Sequence, residues 1–546
     1  MMSFPAIPTS PFDDQRPGTA GLRKPVARFR EPRYLENFIQ SVFDCVPTLK
    51  GGALVVGGDG RYWNREAINV VLRMAAANGV TRCVVGRRGL LSTPAASLLI
   101  PEVKAAGGFI LTASHNPGGP QGDFGIKFNL DNGGQASEAL TEAVYARTRA
   151  IERYFIVPEE CRVDLERLGK QAFAGMDVEV VDPVAHYAAV MQRCFDFGRM
   201  RALLKDGRFS MRFDALSAVT GPYAVEILER QLGAPAGTVL HGEPLMDFGG
   251  GHPDPNPHDA RAFVRMFEGA ASPDFGAASD GDGDRNMILG PGVVVSPGDS
   301  LALLAANAHL VPGYRDGLAG LARSMPTSRA ADRVAAKLGI PCYETPTGWR
   351  FFCNLLDAGK VTLCGEESFG TSSNHAREKD GLWAVLFWLD VLAARREPLP
   401  AILKAHWAEH GRDFFIREDY DIPDAAQAAQ VMKELEAVLP KLTGASVEGL
   451  RLASALSFNY TDPVDGSVSR NQGIQVHTQD GARMVFRLSG TGTRGATLRV
   501  YLEKHEPDAA KQGAAAKAAL ASLSAAARKL TRLEELTGLR EPSQTT

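Results

Sequence analysis

Along the first part of the chain, apolar and polar positions switch between two periods. Ala53-Leu-Val-Val is a short apolar run that stops at Gly57-Gly58-Asp59-Gly60-Arg61, the profile of a buried strand closed by a turn. Asn64 to Asn78 carries helical spacing and ends before Gly79. Arg82 to Gly86 reads as strand. Thr93 before Pro94 marks a helix start, because proline suits the first turn. That helix closes at Gly107-Gly108, and Phe109-Ile-Leu is the next strand. The order β–α–β–α–β predicts a layered α/β domain.

The same grammar recurs twice. Phe209 to Ala215 reads as strand, followed by a helix over Pro222 to Leu232; Pro273 to Ala278 leads into a Gly/Asp loop and then Met287-Ile-Leu. Later, Ser300 to Leu310 and Ala330 to Leu338 are helical, and Val361 to Cys364 is a strand before another glycine-rich loop. From Phe414 the texture changes to alternating strands at Ile474–His477, Met484–Leu488 and Leu498–Leu502, flanked by Ala-rich helices. The predicted fold class is α/β: three similar mixed α/β domains (1–185, 186–297, 298–412) and a C-terminal α+β domain (413–546).

Composition narrows the function classes. The chain has 546 residues, 45% hydrophobic and 23% charged, with a formal net charge of −3, the balance of a soluble globular protein with no basic stripe for nucleic acid. The longest apolar stretch, Leu382 to Ala394, falls short of the ~20 residues of a membrane helix and contains Asp390. The N-terminal segment lacks the basic and apolar regions of a signal peptide. Seven scattered cysteines without a C-x-x-C spacing read as reduced thiols. A cytoplasmic protein binding neither nucleic acid nor membrane is expected.

Four loops carry candidate chemistry. Thr112-Ala-Ser-His-Asn-Pro-Gly-Gly follows a strand and can project the Ser114 hydroxyl into a cleft, with His115 beside it and Lys127 further on. A plain turn with a satisfied histidine would look the same, and the segment is not the G-x-S-x-G elbow of hydrolases. Asp280-Gly-Asp-Gly-Asp-Arg alternates three carboxylates with glycine, an oxygen-only set suited to Mg²⁺ or Ca²⁺. An EF-hand fails here: with Asp280 as its first position, the required Gly falls on Arg285 and the required Glu on Pro291. A solvated acidic turn is the weaker alternative.

Gly365-Glu-Glu-Ser-Phe-Gly offers two carboxylates, but adjacent strand residues face opposite ways, so Glu366 and Glu367 are not expected to share a role. By itself this segment reads first as an acidic surface loop. Lys379 follows as a candidate for proton transfer or phosphate contact. The stretch from Arg487 to Arg499, rich in glycine and hydroxyls, forms a nest for phosphate with an arginine at each end. It lacks the G-K-[ST] of a nucleotide loop, and a hairpin turn remains the alternative.

Taken together and in this order, the loops resemble the α-D-phosphohexomutase superfamily, on its glucose-preferring branch shared with animals. Gly18-Thr-Ala-Gly-Leu-Arg-Lys, the whole of Thr112 to Asn129, Asp247-Phe-Gly-Gly-Gly-His-Pro-Asp-Pro-Asn, Ser324-Met-Pro-Thr-Ser and Glu344-Thr-Pro-Thr-Gly-Trp extend the likeness from about residue 15 to about 505. The resemblance implies four domains around one central cleft and an isomerase interconverting α-D-glucose 1-phosphate and glucose 6-phosphate. It implies that Ser114 carries the phosphoryl group. One Mg²⁺ per subunit would lie on Asp280, Asp282 and Asp284 with an oxygen on Ser114, and glucose 1,6-bisphosphate would serve as activator and intermediate. It further implies Arg23, His115, Lys127 and Lys379 as catalytic candidates. Thr347, Gly348, Glu366, Ser368 and Arg285 would contact the sugar phosphate, and Arg487, Ser489, Gly490, Thr491 and Arg499 would hold its non-reacting phosphate.

Departures from the family pattern are Ala20 for serine, Arg350 for lysine, Ser217 for histidine, and Arg494 inside the nest. A phosphatase is disfavoured by the second phosphate site, and a non-catalytic phosphoprotein by the retention of Ser114 and all three aspartates. The expected partner is a small sugar phosphate, and the expected state a monomer or weak homo-oligomer.

Overall fold

The computed structural model describes residues 4–18, 21–489 and 495–546. The first sheet has seven strands in the order Leu22–Pro25, Asp123–Leu130, Gly107–Leu111, Ala53–Gly58, Arg82–Leu90, Met176–Val181, Gly169–Phe173. Its four neighbours from Gly107–Leu111 to Met176–Val181 run parallel, and the outer strands pair antiparallel. Strand Gly107–Leu111 is buried throughout, as a central parallel strand must be. The helix predicted to start at Thr93 spans Thr93–Glu102, and the Ser92 hydroxyl accepts from Ala95 N–H at its head.

The second sheet orders Val239–Leu240, Met211–Asp214, Phe275–Ser279, Asn286–Gly290, Val293–Val295; the third orders Cys342–Thr345, Leu321–Ser324, Leu363–Glu366, Gly370–Ser373. In each of the three sheets, a buried parallel strand ends in one of the candidate loops and the chain returns as an antiparallel neighbour. The pairs are Gly107–Leu111 with Asp123–Leu130, Phe275–Ser279 with Asn286–Gly290, and Leu363–Glu366 with Gly370–Ser373. The serine, aspartate and glutamate loops therefore occupy one position repeated three times, at the carboxyl ends of the strands, where α/β sheets bind ligands.

Two expectations change in detail. The helix from Thr93 ends at Glu102, and Gly107-Gly108, read as its close, begin the next strand. The helix read over Pro222 to Leu232 begins earlier, as Thr220–Ala224, and continues as a π-helix over Val225–Gln231. Leu232 N–H bonds to Ile227 O at 2.9 Å, five residues back. Apolar spacing reports which face is buried, not how tightly the turns wind.

The first three sheets share one apolar core. It runs from Val55 and Ile110 through Phe213 and Phe275 to Leu301, Leu321 and Trp388. Helix Gly381–Arg395, the apolar stretch of the sequence, is buried from Gly381 to Ala393 and crosses this core. Its Asp390 is fully buried and paired with Arg199 at 2.7 Å. Among the described residues, no helix is long and apolar enough to cross a membrane.

The fourth domain has its own core, from Phe414 to Leu533, under a seven-stranded sheet whose long pair is Arg412–Ile422 with Ala496–Glu506. Much of its seam with the third domain is polar. Buried Arg483 pairs with Glu503 at 2.7 Å and donates to the Met325 and Thr327 carbonyls, each at 2.8 Å.

Candidate active site at the junction of the four domains

Ser114 sits where strand Gly107–Leu111 opens into its loop. It is 2% exposed and has a φ of +52°, a left-handed conformation that costs a non-glycine residue energy and persists only when its surroundings impose it. A buried ion pair imposes it. Arg61 bonds Asp59 at 2.9 Å, both side chains fully buried. Arg61 also donates to the Ser114 carbonyl at 2.7 Å and the Asp123 carbonyl at 2.9 Å. Asp59 accepts from the Thr112 hydroxyl at 2.6 Å, and that hydroxyl accepts from Ser114 N–H at 2.7 Å. The loop is thus held from beneath at both its amide and its carbonyl.

The Ser114 hydroxyl donates to Asp280 Oδ2 at 2.9 Å, across the junction with the second domain. Gly281 makes this approach possible, since a Cβ there would lie 2.3 Å from the Ser114 carbonyl oxygen. Asp280, Asp282 and Asp284 are all buried, and one carboxylate oxygen from each lies within 4.8 Å of the others. Asp280 Oδ1 accepts from the Asp284 and Arg285 amides at 2.9 and 3.0 Å, while Asp282 Oδ2 accepts from the Thr93 hydroxyl at 2.6 Å. Asp282 Oδ1 and Asp284 Oδ1 are buried without a hydrogen-bond partner. Two orphaned buried oxygens beside a third carboxylate fit a hard divalent cation, which takes oxygen ligands.

Charge in the cluster is unevenly balanced. Burial, with its two carboxylate neighbours, pushes Asp280 well above the usual range, and burial with Asp282 raises Asp284. Burial also works against Asp282, but there Lys127, the Thr93 hydroxyl and Lys379 prevail and hold the carboxyl down at about 2. Four cations surround the three acids. Lys379 lies 3.0 Å from Asp284, and Arg285 lies 4.0 Å from Asp280 while bonding Asp254 at 3.1 Å. Arg23, on the strand paired with Asp123–Leu130, has a buried Nε without a partner and feels Asp282 and Asp284. Lys127 sits on that neighbouring strand and pairs with Glu378 at 3.1 Å.

His115 stands 3.5 Å from Asp254 without a formed hydrogen bond at Nδ1. Burial, together with Arg285, Arg23, His252 and Lys379, keeps its imidazole well below its usual value, so it is neutral near pH 7. Glu366 accepts from Gly348 N–H at 2.9 Å and is raised by burial. Thr347 presents a buried hydroxyl without a partner, and half-buried Ser368 lies at the turn before Gly370–Ser373. Glu367 points elsewhere, accepting from Ser324 at 2.6 Å and from Tyr501 of the fourth domain at 3.1 Å. Glu366 ends its strand and Glu367 opens the turn that follows, so the two carboxylates take different partners.

In the fourth domain, Arg487 and Arg499 stand directly opposite each other across paired strands, and Ser489 faces Thr497. Gly490, Thr491 and Arg494 lie outside the described residues, as does Ala20. Arg487 comes within 3.9 Å of Glu367, bringing the fourth domain against the Glu366–Glu367 loop of the third. Sequence reasoning gave no role to Asp59 and Arg61, to Glu378, or to Arg417, whose Nε lies 3.0 Å from Asp419 beside Arg499. Arg417 and Asp419 lie two apart on one strand and so share a side, which is the signal that was available there, whereas Gly60, with a φ of +82°, turns the chain between Asp59 and Arg61.

Comparison with known proteins agrees with this layout. Family models described as Phosphoglucomutase/phosphomannomutase alpha/beta/alpha domains I, II and III match residues 14–155, 185–292 and 297–410. One described as Phosphoglucomutase-1, C-terminal domain, matches 412–543. A phosphoglucomutase of Rhizobium radiobacter is 55% identical over 98% of this chain and 99% of its own. Phosphoglucomutase-1 of Homo sapiens is 50% identical over the whole of both. The exocytosis-sensitive phosphoprotein pp63/parafusin (phosphoglucomutase) of Paramecium, solved in an open form, superposes with a TM-score of 0.92 at 44% identity and full coverage of both chains.

Replacing Arg61 with Met strands Asp59 as a buried unpaired carboxylate. The expected loss is about 3–5 kcal/mol, read as a drop in the urea midpoint, with much of it recovered when Asp59→Asn is added. An unchanged midpoint for the single variant would remove the pair from its supporting role.

Proposed function

This chain belongs to the phosphoglucomutase/phosphomannomutase family, and on that premise we propose that it interconverts α-D-glucose 1-phosphate and glucose 6-phosphate through a phosphorylated Ser114 and a glucose 1,6-bisphosphate intermediate. It is an isomerase of the intramolecular phosphotransferase kind. The observation that carries the reading is the Ser114 hydroxyl 2.9 Å from Asp280, beside two orphaned carboxylate oxygens. Asp280, Asp282 and Asp284 would hold Mg²⁺ with an oxygen of the Ser114 phosphate. Bound there, Mg²⁺ draws charge from the phosphoryl oxygens.

In the forward half-reaction, the Ser114 Oγ–phosphorus bond breaks and a bond forms to the free hydroxyl of the sugar monophosphate. Phosphoryl transfer of this kind needs positioning and charge neutralisation more than covalent assistance. Arg23, Lys127, Arg285 and Lys379 supply positive charge around the transferring group. His115, neutral and unpaired at Nδ1, suits the proton leaving the attacking hydroxyl, whereas Lys127 and Lys379 are each engaged with a carboxylate. The bisphosphate then turns, and its other phosphate returns to Ser114 while the proton goes back to the vacated sugar oxygen.

Throughout, Arg487, Ser489, Gly490, Thr491 and Arg499 hold the phosphate that is not reacting, and Thr347, Gly348, Glu366 and Ser368 hold the sugar in both orientations. The separate core of the fourth domain suits it to move while the intermediate turns. Seven unpaired cysteines accord with a cytoplasmic location.

A coupled assay of glucose 1-phosphate conversion, with Mg²⁺ and trace glucose 1,6-bisphosphate, tests this directly. Turnover is expected to vanish in Ser114→Ala and in EDTA. Release of inorganic phosphate in place of glucose 6-phosphate would make the chain a phosphatase and contradict the reading. His115→Gln is expected to lower kcat by about 10²–10⁴-fold with little change in KM. A variant as fast as the wild type would move proton acceptance to another group.

A further inference from the structure

Lys379 is carried on a short connection of the third domain, between strand Gly370–Ser373 and helix Gly381–Arg395. One residue of that connection bonds both of its ends. His375, buried at its side chain, meets the Ser373 hydroxyl through Nδ1 at 2.7 Å and the Asp380 carboxylate through Nε2 at 3.0 Å. It belongs to none of the four loops read from the sequence.

This bracket is one side of a closed circuit of buried groups. Trp383 Nε1–H donates to the Tyr314 hydroxyl at 2.7 Å, and the Tyr314 and Ser373 hydroxyls share a hydrogen bond of 2.7 Å. Ser373 leads to His375 and His375 to Asp380, which accepts from Trp383 N–H at 3.0 Å and from the Tyr187 hydroxyl of the second domain at 2.6 Å. The carboxylate accepts only, so the ring proton belongs on Nε2, and Nδ1 takes the Ser373 hydroxyl. The ring also stacks on Trp383, with centroids 5.3 Å apart at 16°. Each member of such a circuit fixes the next.

The connection is pulled two ways. Arg377 N–H donates to Ser97 Oγ at 2.9 Å and Glu378 pairs with Lys127 at 3.1 Å, both towards the first domain. Lys379 reaches the other way, to Asp284 of the second domain at 3.0 Å. Its stem lies against Gly370, where a Cβ would stand 2.3 Å from Lys379 Cδ. The far end of the connection is anchored. Gly381 N–H donates to the Gly283 carbonyl at 3.0 Å, and a Cβ on Gly381 would lie 2.0 Å from the Arg285 carbonyl oxygen. His375 ties the near end to that anchored one.

We propose that His375 is a positioning residue for Lys379: by joining Ser373 to Asp380 it holds the connection closed against the pull of the first domain and sets the Lys379 ammonium beside Asp284. Without that tie, the contacts of Arg377 and Glu378 draw the connection towards the first domain and Lys379 withdraws from Asp284. The consequence for turnover rests on the reading of Lys379 as one of the charges around the transferring phosphoryl group; the placement of the ammonium does not.

The test is a double-mutant cycle on the full chain with two readouts. His375→Phe keeps an aromatic ring against Trp383 and loses both hydrogen bonds. Labelling with acetic anhydride, read by mass spectrometry, is expected to modify Lys379 several-fold faster in this variant, with Lys127 labelled as in the wild type. In the coupled glucose 1-phosphate assay its kcat is expected to fall about 10²-fold with KM little changed, the cost of a small misplacement of a reacting group. Once Lys379→Met is in place, adding His375→Phe is expected to cost no more than about 2-fold, because the histidine acts through the lysine. If His375→Phe does not fold, His375→Gln, which keeps a donor towards Asp380, takes its place with smaller changes expected. Unchanged labelling of Lys379, or an equal loss of kcat with and without Lys379, overturns the proposal. Faster labelling of Lys379 in a chain whose wild type shows no turnover would support the placement and remove the reading of the activity.

Discussion

Three carboxylates buried against one another are the constraint on which this molecule depends. Charges of one sign in a low-dielectric interior repel strongly, and each has lost its water. Such a cluster can exist only where positive charge is brought to it from several directions. Asp280, Asp282 and Asp284 come from one loop of the second domain, yet their balancing groups are Arg23 and Lys127 of the first domain, Arg285 of the second and Lys379 of the third. The acids therefore define where the domains must meet. Ser114, hydrogen-bonded to Asp280, lies at that meeting point, and in the proposed function a divalent ion would complete the neutralisation there.

The fold supplies this meeting point by repetition. In three sheets, a parallel strand ends, a loop crosses its carboxyl end, and an antiparallel strand returns. Because the strands before the loops are buried, the loop ends are fixed by the sheet, and small local devices set the rest. The Asp59–Arg61 pair holds the serine loop in a left-handed turn, and the His375–Asp380 bracket holds the lysine loop. The fourth domain is built differently. Its apolar core is separate, and buried arginines and glutamates form much of its seam with the third. Glu367 reaches across that seam to Tyr501 and Arg487, so the position of the fourth-domain arginine is felt one residue from Glu366.

Much of this was legible in the sequence because the candidate groups lie in contiguous segments. Asp280-Gly-Asp-Gly-Asp displays its own ligand set, and the structure brings the three acids together as the alternation implied. The mixed α/β pattern of the first three domains follows from the period of apolar positions, and the shortness of the apolar stretch and its Asp390 argued against a membrane helix. What escaped was interaction between distant segments. Glu378 and Lys127 are 251 positions apart, and Glu367 meets Tyr501 134 positions away. Asp59 and Arg61 were in view but flanked by glycine, so they looked like turn punctuation; only burial reveals them as an ion pair. Gly490 and Thr491 of the phosphate nest lie outside the described residues.

The most direct test of the central claim is the unfolding temperature of the wild type and Asp280→Asn, each in EDTA and in saturating Mg²⁺. If repulsion among buried carboxylates governs the site, Mg²⁺ raises the wild-type midpoint, by the several degrees that ~3 kcal/mol of binding brings. Asp280→Asn should then be at least as stable as the wild type in EDTA and should gain much less from Mg²⁺. A wild type indifferent to Mg²⁺, or an Asn variant that is less stable in EDTA and gains as much from the ion, would contradict the account.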